Sequence, residues 1–394
     1  MELVYGVLRQ RSALDWMFGR FLKNPLALGA KTLYNLRLAV YQIMYMATAD
    51  RAAVYEAVEI EKSYHGKPSL VNAVLRSVLR SKTTIALPMD ETLSSLSIRT
   101  STPMWLIKRW HKRFGYSGAE ALCMKNNTQP PMALRVNSTA NTAKELNRLD
   151  IKYRQSQYLP NSIILEDHVP YSKLTTLKGS IAVQDEGAQL AGFLINPQKG
   201  QRMLDACSAP GIKATHMARL SDDSGLIVAC DLRIERFKKF LDNINNFKLH
   251  SIKPVVADSA QVVFKQLFDK ILLDAPCSSI GTIRRNPDVK YKRKTRELLS
   301  FKETQLNMLV NLSQYLKKGG TLLYSVCSTE PEEGEEVIYG FLKLRQVFRI
   351  INLAPIIKEA YAIDLTPFIT KDGFIRTYPH VHDMDGFFYA GLTL

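Results

Sequence analysis

Two apolar runs in the carboxy-terminal half of the chain each deliver a cysteine. Cys277 stands three residues after Asp274 in Phe268-Asp269-Lys270-Ile271-Leu272-Leu273-Asp274-Ala275-Pro276-Cys277, and Cys327 closes Leu322-Leu323-Tyr324-Ser325-Val326-Cys327. Such runs read as buried strands, and consecutive strands of a parallel sheet are usually neighbours about 5 Å apart. Both thiols should then meet beside one carboxylate. Carbon 5 of cytosine is a poor nucleophile until a thiolate adds to carbon 6. That addition needs an acid at ring nitrogen 3, and later a base to take the carbon 5 proton once a methyl group has been transferred. One cysteine attacks, Asp274 holds or protonates nitrogen 3, and the other cysteine assists elimination. An adenine-amino methyltransferase would carry Asp/Asn-Pro-Pro-aromatic here, and Asp274-Ala275-Pro276-Cys277 is not that.

The remaining cysteines have plainer readings. Cys123 and Cys230 lie on apolar runs as inert filler, and Cys207 packs in a turn. No Cys-x-x-Cys pair and no histidine at zinc spacing occurs, so neither a disulfide framework nor a structural zinc is expected. His380 and His382, near Asp383 and Asp385, sit in a hairpin-like approach to the last strand, and no metal is expected there. The acidic run Glu330 to Glu336 reads as the start of a helix, whose amino end favours carboxylates.

From Gly200 onward strands and helices alternate, the pattern of a parallel sheet with crossover helices. The apolar runs Met203 to Ala206, Leu226 to Cys230, Pro254 to Ala257 and Ile271 to Leu273 each end at, or are followed by, an acid: Asp205, Asp231, Asp258 and Asp274. In a doubly wound sheet the carboxyl ends of the strands line one crevice, so these acids converge. Taken singly, any of them could be a helix N-cap. The first turn, Cys207-Ser208-Ala209-Pro210-Gly211-Ile212-Lys213, has a single glycine and poorly supports a pyrophosphate cradle. A cofactor with a ribose and a cationic centre but no phosphates fits better, which describes S-adenosylmethionine. Asp231 is placed for the ribose hydroxyls, Asp258 for the adenine, and Asp205 with the turn backbone for the methionine end.

The chain of 394 residues carries 53 Lys plus Arg against 37 Asp plus Glu, a net charge of +16, with 46% apolar side chains. It is long enough for two or three packed domains and too apolar for disorder. No stretch suits a membrane span and no signal peptide opens the chain, so a cytoplasmic protein is expected. The charge makes a polyanion the natural partner. Residues 1–127 read as a helical domain, 128–197 as a small α+β domain after a proline-bearing linker, and 198–394 as the α/β domain. Val71, Val74, Leu75, Val78 and Leu79 share one helical face, while Asn72, Arg76 and Arg80 form a second stripe, either a solvated face or a set of RNA-phosphate contacts. Eight basic residues against two acidic lie between Arg284 and Lys302. Arg76, Arg80, Arg135, Arg284, Arg285, Lys290, Lys292 and Arg293 are the expected RNA-binding residues.

At these motifs the sequence resembles the RNA cytosine-5 methyltransferase family. The segments that carry the likeness are Val183-Gln184-Asp185-Glu186, Leu204 to Gly211, Asp274 to Asp288, Tyr324 to Glu333 and Asp385 to Ala390. Gly6-Val7-Leu8-Arg9 and Val71 to Arg76 add a likeness to a NusB-like RNA-binding domain. The resemblance implies a Rossmann-like S-adenosylmethionine-dependent methyltransferase domain behind an all-helical NusB-like domain and a small α+β domain. It implies Cys327 as nucleophile and Cys277 as the residue needed for product release. It also implies a cofactor site of Cys207, Ser208, Ala209, Pro210, Gly211, Ile212, Lys213, Asp231, Asp258 and Asp274. The implied substrate is 16S rRNA, free or partly assembled, at the cytosine called 967 in the family's usual name, with the enzyme acting as a monomer on an exposed base.

Measured against the family, the helical domain is expected to be short of an opening helix or two, Ile212 stands where a second glycine is usual, Val326 replaces a Thr and Gly334 an Asn. A non-catalytic rRNA-binding assembly factor is the alternative from another class, and a cytosine methyltransferase acting on tRNA or DNA a further one.

Overall fold

The computed structural model describes residues 2–167 and 169–394, which form two units. Among the described residues the first comprises 2–129 together with 283–292, and the second 130–167, 169–282 and 293–394.

The first unit is helical, with helices Glu2–Gly19, Ala30–Tyr45, Asp50–Ser63, Pro68–Arg80, Leu93–Thr100 and Met104–Asn126. Pro68 opens its helix at the position where a missing N–H costs nothing. Val71, Val74, Leu75 and Val78 bury one face of that helix against Leu36, Val40 and Ala57, as their spacing predicts. Segment 283–292 joins this unit through Ile283 and Val289, both buried. The Tyr291 hydroxyl of the same segment donates to the Ser101 carbonyl at 2.9 Å.

The second unit holds two sheets. The smaller is antiparallel, in the order Tyr153–Gln155, Ser162–Leu165, Met132–Val136, Ile181–Val183, and helix Thr139–Arg148 belongs to the same α+β segment. Leu134, Val136, Leu146, Ile163 and Leu165 make its core.

The larger sheet runs Arg349–Ile350, Phe388–Thr393, Leu316–Val326, Phe268–Asp274, Arg202–Asp205, Leu226–Asp231, Ile252–Val256, with Ile375–Arg376 paired to Phe388–Thr393. The five strands from Leu316–Val326 to Ile252–Val256 are parallel, and Phe388–Thr393 is antiparallel to its neighbour. Leu204, Ile271, Leu272, Leu273, Leu322 and Leu323 are fully buried, which is why these strands read as continuous apolar runs. The strand order reverses beside Arg202–Asp205, where doubly wound sheets place their ligands.

Among the described residues no helix is long and apolar enough to cross a membrane.

Candidate active site

The parallel pairing of Phe268–Asp274 with Leu316–Val326 puts Asp274 level with Ser325. Cys277 and Cys327, just beyond these strand ends, therefore arrive together, and their Sγ atoms lie 3.2 Å apart. The loops that carry them are pinned to each other: the Gly281 N–H donates to the Cys327 carbonyl at 3.0 Å, and the Gly386 N–H to the Gly281 carbonyl at 2.8 Å. A Cβ at position 281 would collide with that Gly386 carbonyl, so only glycine allows this approach. Cys277 is buried and Cys327 half-buried. The hydrogen bond shared with Cys277 holds the Cys327 thiol below the ordinary range against burial and Asp274, helped by Ser279, whose Oγ lies 3.7 Å away, and by Lys213. The same hydrogen bond, burial and the Glu333 charge push Cys277 well above it. The Cys327 sulfur is thus the better thiolate of the two.

Asp274 accepts the Ser325 hydroxyl at 2.9 Å and pairs with the Lys213 ammonium, which lies 5.3 Å from the centre of the Phe387 ring. Lys213 reaches it from the first turn of helix Ile212–Leu220. Gly211, with φ +89°, turns the chain into that helix, and a Cβ there would press into the Phe240 ring at 2.6 Å.

Beside this pair lies a cleft of about 200 Å³ lined by Asp205, Cys207, Ser208, Ala209, Pro210, Ile212, Lys213 and Asp274, with Val183, Gln184 and Ala188. Ile212 forms part of its wall. Both carboxylate oxygens of Asp205 and the Ser208 hydroxyl are buried without a hydrogen-bond partner. Burial raises the Asp205 carboxyl to about 7. Such unpaired buried acceptors suit a cationic, amine-bearing ligand, so the residues present fit the methionine end of S-adenosylmethionine. Asp231 and Asp258 lie outside this lining. The Asp231 carboxylate accepts the N–H groups of Ala209 and Arg233, both at 3.1 Å, and the Arg236 guanidinium at 3.0 Å. Asp258 is half-buried and accepts the Ala260 N–H at 2.9 Å, the turn-capping use that any one of these acids could have had alone.

Comparison with known proteins identifies the family. The family described as "16S rRNA methyltransferase RsmB/F" matches residues 192–393, a NusB family residues 1–80, and an RsmF/B-like ferredoxin-like domain residues 102–172. A Bacillus subtilis (strain 168) protein named "Probable ribosomal RNA small subunit methyltransferase B" is 33% identical over 99% of this chain and 89% of its own length. The chain belongs to the RsmB/F family of rRNA methyltransferases. A ribosomal RNA small subunit methyltransferase B of Escherichia coli O127:H6 is 31% identical over 99% of this chain and 89% of its own length. Among solved structures, that of the protein PH0851 covers 100% of this chain and 89% of its own at TM-score 0.84 and 25% identity. A methyltransferase homologue from Pyrococcus horikoshii shares the fold at TM-score 0.65 and 24% identity, over 78% of this chain and all of its own.

Membership of the RsmB/F family makes the protein an S-adenosylmethionine-dependent methyltransferase with a NusB-like amino-terminal domain. Three of the expected RNA-binding residues are buried and hydrogen-bonded within the fold. Arg135 is buried, and its guanidinium donates to Gln184 Oε1 and the Ile212 carbonyl at 2.7 Å and to Thr215 Oγ1 at 2.8 Å, locking the helix that carries Lys213. Arg284 is buried on Thr128 Oγ1 at 3.0 Å and the Gln129 carbonyl at 3.1 Å. Lys290 is buried on the Arg9 carbonyl at 3.2 Å and Asn127 Oδ1 at 2.9 Å. A basic side chain surrounded by acceptors spends its charge on the fold rather than on a polyanion.

Arg293 is half-buried, and its Nε donates to the Ser278 carbonyl at 2.9 Å. Arg285 is half-buried. Arg76, Arg80 and Lys292 are exposed; Arg76 bonds Asn72 at 3.1 Å, Arg80 bonds Ser77 at 2.9 Å and Lys292 pairs with Asp288 at 2.7 Å.

His382 is a structural group: its Nδ1 accepts the Tyr378 N–H at 2.9 Å and its Nε2 lies 3.0 Å from the Pro367 carbonyl. Among the described residues no group of His, Cys, Asp and Glu is arranged to hold a metal ion. The acidic run divides in two. Glu335 and Glu336 do open helix Glu335–Leu344, whereas Glu330 and Glu333 are fully buried before it. Glu333 reads in the sequence only as part of a helix start, and nothing local signals its bonds to Ser278 and Ser328, the serines that adjoin the two cysteines.

Proposed function

We propose that the protein methylates carbon 5 of a cytosine in 16S rRNA, the position numbered 967 in the family's usual name, through a covalent adduct with Cys327. The observation that carries this reading is the pair of sulfurs 3.2 Å apart beside Asp274. Bound S-adenosylmethionine supplies an electrophilic methyl group on a cationic sulfur.

The chain's own residues do the rest. The Cys327 thiolate adds to ring carbon 6, and the electron pair of the 5,6 double bond moves toward nitrogen 3, so that carbon 5 becomes nucleophilic. Asp274 and the Lys213 ammonium paired with it offer an acceptor and a proton-bearing donor for the nitrogen 3 edge of the ring. After methylation the carbon 5 proton leaves to solvent, the double bond re-forms and the carbon–sulfur bond breaks, returning its electron pair to Cys327. The Cys277 thiol assists that departure, since its hydrogen bond stabilises the sulfur as it regains negative charge. Asp205 and Ser208 hold the amine-bearing end of the donor, with Asp231 and Asp258 at its ribose and adenine.

A target base inside RNA has to be exposed to reach a half-buried sulfur, which favours a loop or flipped nucleotide in free or partly assembled rRNA. The exposed Arg76, Arg80 and Lys292, with Arg285, are the candidates for phosphate contacts.

Unmodified 16S rRNA, labelled donor and three proteins test the reading. Wild type should transfer label, Cys327→Ala should transfer none and form no adduct, and Cys277→Ala should accumulate RNA-linked protein. Label transferred at the wild-type rate by Cys327→Ala would remove that residue from the nucleophile role, and bisulfite sequencing of the product identifies the cytosine.

A further inference from the structure

Glu333 ends the short turn Pro331–Glu333 and is fully buried beneath the loops that carry both cysteines. The residue after each cysteine is a serine, and the two serines behave alike. Ser278 Oγ accepts the Ile280 N–H at 3.3 Å and donates to Glu333 Oε2 at 2.5 Å. Ser328 Oγ accepts the Glu330 N–H at 3.2 Å and donates to the same Oε2 at 2.6 Å. The other carboxylate oxygen receives the Ser278 N–H at 2.7 Å and the Gln305 amide at 3.2 Å. Four donors on two oxygens are a set of partners that suits a carboxylate. Burial raises the Glu333 carboxyl, and the bonds from Ser278 and Ser328 oppose that rise.

The surroundings of the two sulfurs are unequal. The bond to the Cys327 sulfur, burial and then the Glu333 charge raise Cys277, whereas Cys327 is lowered by its bond to Cys277 and faces Asp274, Ser279 and Lys213 instead of Glu333. The fully buried Tyr324 donates its hydroxyl to the Glu333 carbonyl at 2.7 Å, and Arg293 holds the Ser278 carbonyl. A negative charge next to Cys277 disfavours a second one there, and leaves the proton on that sulfur rather than on its neighbour.

We propose that Glu333 is a positioning residue that gives the two cysteines different tasks. Its carboxylate fixes the serine after each of them to one point, and its charge keeps Cys277 a thiol that donates to the Cys327 sulfur. The proposal rests on the reading of Cys327 as nucleophile and adds what decides between two otherwise similar thiols.

Alkylation tests it without donor or RNA. The full-length protein is treated with iodoacetamide between about pH 6 and pH 10, and modification of Cys277 and Cys327 is quantified separately by mass spectrometry. Wild type should lose Cys327 first. Glu333→Gln keeps the shape and removes the charge, and the ratio of Cys327 to Cys277 modification near neutral pH should fall by about tenfold, one pKa unit. An unchanged ratio in folded Glu333→Gln overturns the proposal. Should that variant not fold, Cys327→Ala decides with Glu333 in place. Cys277 should then titrate above the ordinary cysteine value of about 8.5, and a midpoint at or below it overturns the proposal. Failure here is separate from failure of the catalytic reading, which would show as methyl transfer by Cys327→Ala.

Discussion

Lys213 extends from the helix after the cofactor turn to pair its ammonium with Oδ1 of Asp274, tying the donor cleft to the strand that leads to Cys277. In the proposed mechanism a proton-bearing group held there serves the ring nitrogen of the target. Lys213→Met should therefore lower the single-turnover rate at saturating donor by on the order of 10²–10⁴-fold. Cys327 should still react with iodoacetamide. Rapid-quench measurement of labelled RNA checks it, and a loss below about threefold would assign Lys213 to the fold alone.

Asp205 links donor binding to pH. Its carboxyl is raised to about 7 by burial, so below that pH the protein without donor holds a proton there that a cationic ligand must displace. Affinity for S-adenosylmethionine should rise as pH increases through about 7, with proton release on binding at pH values below it. Calorimetry at pH 6 in buffers of different ionisation enthalpy measures the release directly. Asp205→Asn should abolish it.

Buried and exposed arginines should separate in two different assays. Arg135→Ala leaves the Gln184, Ile212 and Thr215 acceptors without their donor, and should destabilise the protein by roughly 2–5 kcal/mol in denaturant unfolding. Arg76→Ala and Arg80→Ala should leave stability nearly unchanged. Each should reduce the slope of log affinity for rRNA against log salt by roughly 0.7 to 0.9 if it meets a phosphate.

The strands and their terminal residues were legible because a buried parallel strand leaves a continuous apolar run, and Asp205, Asp231, Asp274, Cys277 and Cys327 follow such runs. The meeting of the two sulfurs followed from neighbouring parallel strands. What local pattern could not show was the partner of a buried charge. Arg135, Arg284 and Lys290 look in sequence like any basic residue, and their acceptors are mostly far away along the chain, as Gln184 is from Arg135 and Arg9 from Lys290. Glu333 was hidden for a similar reason. An acid in an acidic run before a helix has a ready local explanation in the helix dipole, and its real partner Ser278 comes from the preceding strand's loop.

Segment 283–292 belongs to the helical unit, although in the chain it follows the loop that bears Cys277. The polypeptide departs from the α/β unit right after Thr282 and re-enters it at Arg293, whose guanidinium fastens the carbonyl of Ser278. Between those points it contributes Ile283, Val289 and a buried ammonium to the other unit's interior. A fragment cut at residue 130 would thus keep a segment whose Ile283, Val289 and Lys290 are buried in the helical unit, and lose the residues of that unit they pack with.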